Sequence, residues 1–245
     1  MMTDMFVKMM DEGCRALSLT LTDHQKHQFY QYYELLIEWN QVMNLTAITE
    51  LQDVVTKHFI DSLLLATVMP EIKTESLHCI DVGTGAGFPG IPLKIAFPNL
   101  KFTLLDSLNK RVGFLNEVIQ RLGLEDITAV HARAEDGGRN PLHREQYDLC
   151  VSRAVANLST LSEYCIPFVK EGGYFIPYKS GKSEEEISQA NGAVKKLGGE
   201  LKETVTKLLP GTEDVERSFV RIKKVKTTQK KYPRKAGLPS KEPLC

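Results

Sequence analysis

No apolar run in this 245-residue chain approaches the roughly 20 residues needed to cross a bilayer as a helix. The five cysteines, Cys14, Cys79, Cys150, Cys165 and Cys245, are odd in number and never form a CxxC pair. A disulfide framework or a zinc site needs close pairs, so neither is expected, and reduced thiols in the cytosol are. The opening MMTDMFVKMMDEG is broken by Asp4 and Asp11 and lacks the apolar stretch of a signal peptide. Net charge is absent as well, with 31 basic residues against 31 acidic. No internal repeat or low-complexity segment is found. What remains is the composition of a globular protein long enough for one large domain, or a domain with an appendage.

One shortage is local. From Arg217 onward there are ten basic residues and a single acid, Glu242. A neutral protein with so cationic an end suggests a polyanion partner. Lys230, Lys231, Arg234 and Lys235 are the residues expected to meet it.

The first seventy residues read as helical. Thr22-Asp23-His24-Gln25 is a capping box, followed by Phe29, Tyr32, Tyr33, Leu36, Trp39, Val42 and Met43 at helical spacing. This stripe predicts a packing face. Thr49-Glu50-Leu51-Gln52 reads as a second capping box, before a helix over 54–68. His58 and Asp61 then lie three residues apart and are expected to bond to each other.

From Leu77 the pattern alternates strand, loop and helix. Five strands are expected at LHCIDV, KFTLLD, ITAVHA, YDLCVSRA and GYFIPY, with helices over 110–122, 158–169 and from the Ser183 cap to about Leu197. Two β-rich runs, ELKETVTKLL and SFVRIKKVK, close the sheet as an antiparallel pair. The fold class is therefore α/β, with a mostly parallel seven-stranded sheet and an N-terminal helical cap. The expected division is a cap over 1–72 and a binding domain over 73–245.

Four glycines, Gly83, Gly85, Gly87 and Gly90, crowd the loop after the first strand. At that position in open α/β folds the backbone approaches a ligand. The dinucleotide fingerprint GxGxxG fails here, because Phe88 stands where its third glycine belongs. Asp81 followed by GxGxG instead resembles the first motif of Rossmann-like methyltransferases that use S-adenosylmethionine. That cofactor has no pyrophosphate but carries an ammonium, which an acid beside the loop suits. Asp106 ends the second strand, where an acid can hold both ribose hydroxyls or cap the next helix. Ala134 and Glu135 follow the third strand, where they can serve an adenine ring.

Two further absences narrow the substrate. The [DNS]PP[YFW] clamp for exocyclic amines is missing after the fourth strand, where Ser152-Arg153-Ala154-Val155 stands. The Pro-Cys nucleophile of pyrimidine C5 enzymes is missing too. The targets left are already nucleophilic, such as a guanine N7. A methyltransferase of another RNA or small molecule, and a non-catalytic nucleotide-binding module, remain open at this point.

The chain resembles the glucose-inhibited division protein B family, bacterial methyltransferases of small-subunit ribosomal RNA. The resemblance lies in Trp39 to Ile48, Lys57 to Leu63, Gly83 to Pro92, Asp106 to Arg111, Ser152 to Val155 and the Lys231 to Gly237 ending. It implies methylation of N7 of one guanine in 16S rRNA. It implies S-adenosylmethionine contacts at Gly83, Phe88, Ala134, Glu135 and Arg153, and a ribose contact at Asp106. Arg153, beside the point of transfer, is the expected catalytic residue. It can bind the cofactor carboxylate or place the guanine, but if it gripped N7 it would occupy the attacking lone pair. Lys110 and Arg111 join the tail cations as expected RNA contacts. No metal and no membrane are expected, and the protein is expected to be a cytoplasmic monomer acting on rRNA or the assembled subunit.

Overall fold

The computed structural model describes residues 2–181 and 184–245. The Ser183 cap expected for the last long helix lies outside them. The strands are β1 (His78–Val82), β2 (Lys101–Asp106), β3 (Ile127–His131), β4 (Tyr147–Arg153), β5 (Val169–Ser180), β6 (Gly199–Leu208) and β7 (Glu216–Lys224). They form one sheet in the order β3-β2-β1-β4-β5-β7-β6. The first five pair in parallel, and β7 runs antiparallel to both β5 and β6. The strand order reverses between β1 and β4, which opens a crevice at their carboxyl ends.

Helices α1 (Asp4–Ala16) and α2 (Asp23–Met43) precede the sheet. The Thr22–Gln25 capping box forms in both directions. Phe29, Tyr32 and Leu36 are buried as the stripe predicts, but Val42 is 80% exposed because α2 has by then run past the core. Trp39 packs on Phe114, 5.7 Å between ring centres. Tyr32 donates its hydroxyl to the Ala86 carbonyl, so α2 braces the glycine loop directly. One hydrophobic core runs from Phe6 of α1 through Phe59 and Leu104 to Phe219 of β7, joining the helical layer to the sheet.

The segment expected as one helix over 54–68 is a composite. A short α3 (Leu51–Val54) leads into a π-helical turn at Val55–Ile60, then α4 (Asp61–Leu63) and two 3-10 turns. The second capping box does not form, since Glu50 is the cap and no side chain bonds there. A π turn inserts a residue into the helical repeat and re-aims the side chains around it. Here it directs His58 and Asp61 at the end of β4.

The other helices are α5 (Gly90–Ala96), α6 (Asn109–Arg121), α7 (Ala134–Gly137), α8 (Leu158–Cys165), α9 (Glu184–Lys196) and α10 (Leu238–Lys241). After β7 the chain returns across α8 and ends near α9, where Cys245 abuts Gly192. No helix among the described residues is long and apolar enough to cross a membrane.

Candidate active site

The glycine loop leaves β1 at Val82. Gly83, Gly85 and Gly87 all take positive φ, +72°, +62° and +97°. At Gly83 a side chain is excluded twice, since a Cβ would also sit 2.7 Å from Val155 Cγ2. Beneath the loop lies Asp81, fully buried, with Oδ2 accepting from the Thr84 hydroxyl (2.7 Å) and the Gly90 amide (2.9 Å). Its Oδ1 is buried with no partner. Burial pushes the carboxyl up to about 7, despite those two bonds and the more distant Arg153 charge, which all favour the ionised form.

Asp106 closes β2, 2% exposed. Oδ2 accepts from the Gly85 amide and Oδ1 from the Leu108 amide, both at 2.9 Å, so it caps the turn into α6 and tethers the loop. Arg111 Nη1 stands 3.6 Å from Oδ2, while Lys110 is exposed. Arg111 thus faces the carboxylate of a predicted cofactor contact.

Two cavities open at the carboxyl edge of the sheet. The first, about 360 Å³, is lined by Gly83, Leu105, Ala134, Glu135, Val155 and Gly237, among others. Glu135 opens α7 and is buried, with Oε1 accepting from the Gly237 amide at 2.8 Å. The C-terminal segment therefore contributes to the wall of this cavity. Arg234 lies three residues before Gly237 in the same segment. Its guanidinium and amide bond the buried carboxylate of Glu163, and Nη2 also donates to the Glu242 carbonyl (2.7 Å). This corrects its expected place among the RNA-facing cations, because its donors are turned inward. Lys230, Lys231 and Lys235 stay exposed, and Lys231 lies 5.1 Å over the Tyr232 ring.

The second cavity, about 490 Å³, lies between the π turn and the β4–β5 edge, with Lys57, His58, Asp61, Arg153, Tyr178 and Arg217 among its residues. Arg153 is its centre. Nη1 donates to Asp61 Oδ2 (2.7 Å) and to the Lys57 carbonyl (3.2 Å), and Nη2 lies 3.2 Å from His58 Nδ1. On the far side of Asp61, Arg217 Nε stands 2.7 Å from Oδ1 as an ion pair without hydrogen-bond alignment. Burial first, and the Arg153 charge second, push His58 down to about 3. The ring is therefore neutral: Nδ1 accepts from Arg153, and Nε2 donates to Thr46 Oγ1 at 2.9 Å. Nδ1 also lies 3.2 Å from the Lys57 carbonyl. Phe88 packs flat on this imidazole, 4.4 Å centre to centre, and under the guanidinium at 5.1 Å. Its ring thus lies behind two residues that line the second cavity, and its amide bonds Thr84 within the loop.

The side chains of His58 and Asp61 do not bond to each other as their spacing suggests; both bond Arg153, more than ninety residues away in sequence. In the sequence, Asp61, Arg217 and Lys57 stand only as half of a helix pair, the start of the cationic end and part of a family motif, not as residues of one site. The one signal that could have found them is a helical pattern that loses its phase near Lys57. The turn Arg153 to Ala156 forms the wall shared by the two cavities, with Val155 on one side and Arg153, Ala154 and Ala156 on the other. No group of three or more potential metal ligands occurs among the described residues.

A sheet in this order, with a glycine loop after β1 and acids at three successive strand ends, defines the Rossmann-like methyltransferase class. Two solved structures share the fold: M. jannaschii TYW2 in complex with AdoMet (TM-score 0.52, 16% identity, covering 67% of this chain and 77% of that one) and a SAM dependent methyltransferase from Aquifex aeolicus (0.51, 18%, 69% and 92%). Within that class, the family described as GidB, rRNA small subunit methyltransferase G, matches residues 25–219, and the chain belongs to that family. It is 57% identical over 233 residues to a ribosomal RNA small subunit methyltransferase G of Lachnoclostridium phytofermentans, covering 95% of both chains. It is 53% identical to the protein of the same name from Alkaliphilus metalliredigens, over 95% of this chain and 96% of that one.

Proposed function

We propose that this protein transfers a methyl group from S-adenosylmethionine to N7 of a guanine in small-subunit (16S) ribosomal RNA. The observation that carries the reading is the pair of cavities meeting at one thin wall, in a chain of the rRNA small subunit methyltransferase G family. The smaller cavity suits the cofactor's nucleoside. It has an apolar floor at Leu105, a buried acid at Glu135 and the Asp106 carboxylate beside it. The unpartnered Oδ1 of Asp81, beneath a loop of positive-φ glycines, suits an ammonium. When bound, S-adenosylmethionine supplies an electrophilic methyl group.

The larger cavity receives the base. A guanine extruded from its RNA needs a few hundred cubic ångströms and cationic surroundings for its phosphate, and Lys57, Lys179 and Arg217 stand around this one. The N7 lone pair forms the new bond to carbon as the carbon–sulfur bond breaks. No proton leaves N7, so no general base is required, and none lies free: His58 is neutral but already bonded on both nitrogens. Catalysis then rests on orientation in a water-poor site.

In this reading Gly83, Gly85, Gly87, Asp106, Ala134 and Glu135 hold the cofactor, and Asp81 its charge. Arg153 and Phe88 form the partition against the base. The helical segment 1–72 is a cap that braces the loop through Tyr32 and supplies one wall of the larger cavity. Lys110, Lys230, Lys231 and Lys235 hold the RNA backbone, and Arg111 steadies Asp106. Purified small subunits incubated with labelled S-adenosylmethionine test the whole. Label at N7 of one guanine is expected; label on an exocyclic amine, on a pyrimidine or only on a small molecule overturns the proposal.

A further inference from the structure

Glu135 is buried in the wall of the smaller cavity, yet its two oxygens are placed differently. Oε1 accepts from the Gly237 amide at 2.8 Å. Oε2 has no partner among the described residues and is not sealed from solvent, so it is the oxygen open to the cavity that Glu135 lines. A carboxylate only accepts, so this oxygen asks for a donor on the ligand. The 6-amino group of an adenine supplies one. The 6-oxo group of a hypoxanthine or guanine does not.

The partner of Oε1 decides which atom is left for the ligand. A backbone N–H donates and never accepts. The side chain at position 135 must therefore turn an acceptor toward it, and only the other atom of its head group faces the cavity. The amide is itself held in place. Three positions before Gly237, Arg234 is fastened to Glu163; two positions after it, the Pro239 carbonyl accepts from Thr160 Oγ1 at 3.1 Å. Glu163 and Thr160 both belong to α8 and are buried. Gly237 has φ +80° with open space where a Cβ would stand, so the backbone conformation, and not crowding, asks for glycine. The C-terminal segment thus delivers one N–H to a carboxylate 102 residues earlier.

We propose that Gly237 is a positioning residue that sets the base preference of the cofactor pocket: its amide holds one atom of the head group at position 135 and so dictates that the other faces the purine 6-substituent. The proposal rests on the S-adenosylmethionine reading of this cavity. In it, Glu135 reads the base and Gly237 acts through Glu135.

The experiment is calorimetry with S-adenosylhomocysteine and with S-inosylhomocysteine, which carries a 6-oxo group in place of the amine. The wild type is expected to favour S-adenosylhomocysteine by about tenfold or more, the scale of a hydrogen bond to a charged group. Glu135→Gln keeps the size of the side chain. Its oxygen must go to the Gly237 N–H, which turns its NH2 group toward the ligand. The ratio of the two affinities should then move by about tenfold or more toward the 6-oxo ligand. A second variant adds glycolic acid in place of Gly237, introduced by nonsense suppression, so that an ester oxygen replaces the N–H. That oxygen repels the glutamine oxygen and the head group turns over. The ratio should return toward S-adenosylhomocysteine by about tenfold. In the protein that keeps Glu135, the same ester should leave the ratio unchanged, because both carboxylate oxygens are acceptors. A merely structural Gly237 amide would shift both ligands by the same factor in either background.

A Glu135→Gln protein with the wild-type ratio overturns the proposal without the second variant. So does an ester protein, folded by its melting curve, whose ratio matches that of its Glu135→Gln parent. Wild-type protein that binds both ligands equally also overturns it, and leaves the cofactor reading standing. Failure of that reading is seen separately, as wild-type protein that binds neither ligand.

Discussion

The guanidinium of Arg234 lies against the buried carboxylate of Glu163, Nη2 to Oε2 at 2.7 Å, with the Arg234 amide on Oε1 at the same distance. A cation in the most basic part of the chain is thus a structural tie. It fastens the segment that carries Gly237 to α8.

Arg234→Ala should therefore destabilise the protein by about 3–5 kcal/mol, since it strands a fully buried carboxylate. Cofactor binding should weaken with it, as the Gly237 wall loosens. Replacing Lys230, Lys231 and Lys235 together with alanine should leave stability and cofactor affinity unchanged. RNA binding should weaken, with a flatter salt dependence. Urea unfolding, calorimetry with S-adenosylhomocysteine and a salt titration of RNA binding separate the two variants. Wild-type salt dependence in the triple variant would mean that these lysines are only solvated.

Asp106→Ala removes the acceptor of the Gly85 and Leu108 amides. Stability should fall by about 1–2 kcal/mol, the scale of a lost helix cap. Cofactor affinity should fall by a further 1–3 kcal/mol or so, the scale of hydrogen bonds to a charged group. Calorimetry on the folded variant reads the second effect, and an unchanged affinity would leave Asp106 as a cap alone.

Asp81 is held up to about 7 by burial. Ionisation of this carboxyl opposes folding, so its contribution to stability is lost as pH rises from its ordinary range through 7. A ligand ammonium meeting Oδ1 reverses that preference. Binding of S-adenosylhomocysteine at pH 7 should therefore release about half a proton. Heats measured in buffers of different ionisation enthalpy should diverge for wild type and converge for Asp81→Asn, which should also bind more weakly. Buffer-independent heats in the wild type would place the ammonium elsewhere.

His58 has the opposite sign. Unfolded, an imidazole titrates near 6.5; folded, burial and Arg153 push this one down to about 3. Below pH 6.5 the unfolded chain takes a proton that the folded one refuses. Stability present above 6.5 is then lost as pH falls, at up to about 1.4 kcal/mol per unit. Between pH 7 and pH 5 the wild type should lose about 2 kcal/mol relative to His58→Gln in urea melts. A constant gap between the two would show that His58 is protonated in the folded state.

Much of the fold was readable because its signals are local. Apolar runs ending in Asp81 and Asp106, a glycine loop and helical stripes placed five parallel strands and the closing pair. The first capping box formed because Gln25 could reach back to Thr22. The failures share a cause. The π turn at Val55–Ile60 shifts the helical phase, and no spacing rule then says where His58 and Asp61 point. The Arg153–Asp61, Arg234–Glu163 and Gly237–Glu135 contacts each join residues at least seventy positions apart. A run of cations looks solvated when read along the chain; whether one of them meets a buried acid is decided by the fold. Arg153 was legible as a candidate from its strand end, and it lines the larger cavity; the cage around it was not legible.

The wall between the two cavities has a consequence for turnover. Under the proposed reaction the positive charge begins on sulfur, on the side of Asp81 and Glu135. It ends on the methylated base, on the side of Lys57, Arg153, Lys179 and Arg217, whose cations outnumber Asp61 and Glu186. The substrate guanine is neutral, so this cavity admits it without penalty. The product is cationic among cations and is repelled by the surroundings that its phosphate found attractive. Chemistry thus weakens the enzyme's hold on its own product, and departure of the RNA is driven by the methyl group just installed.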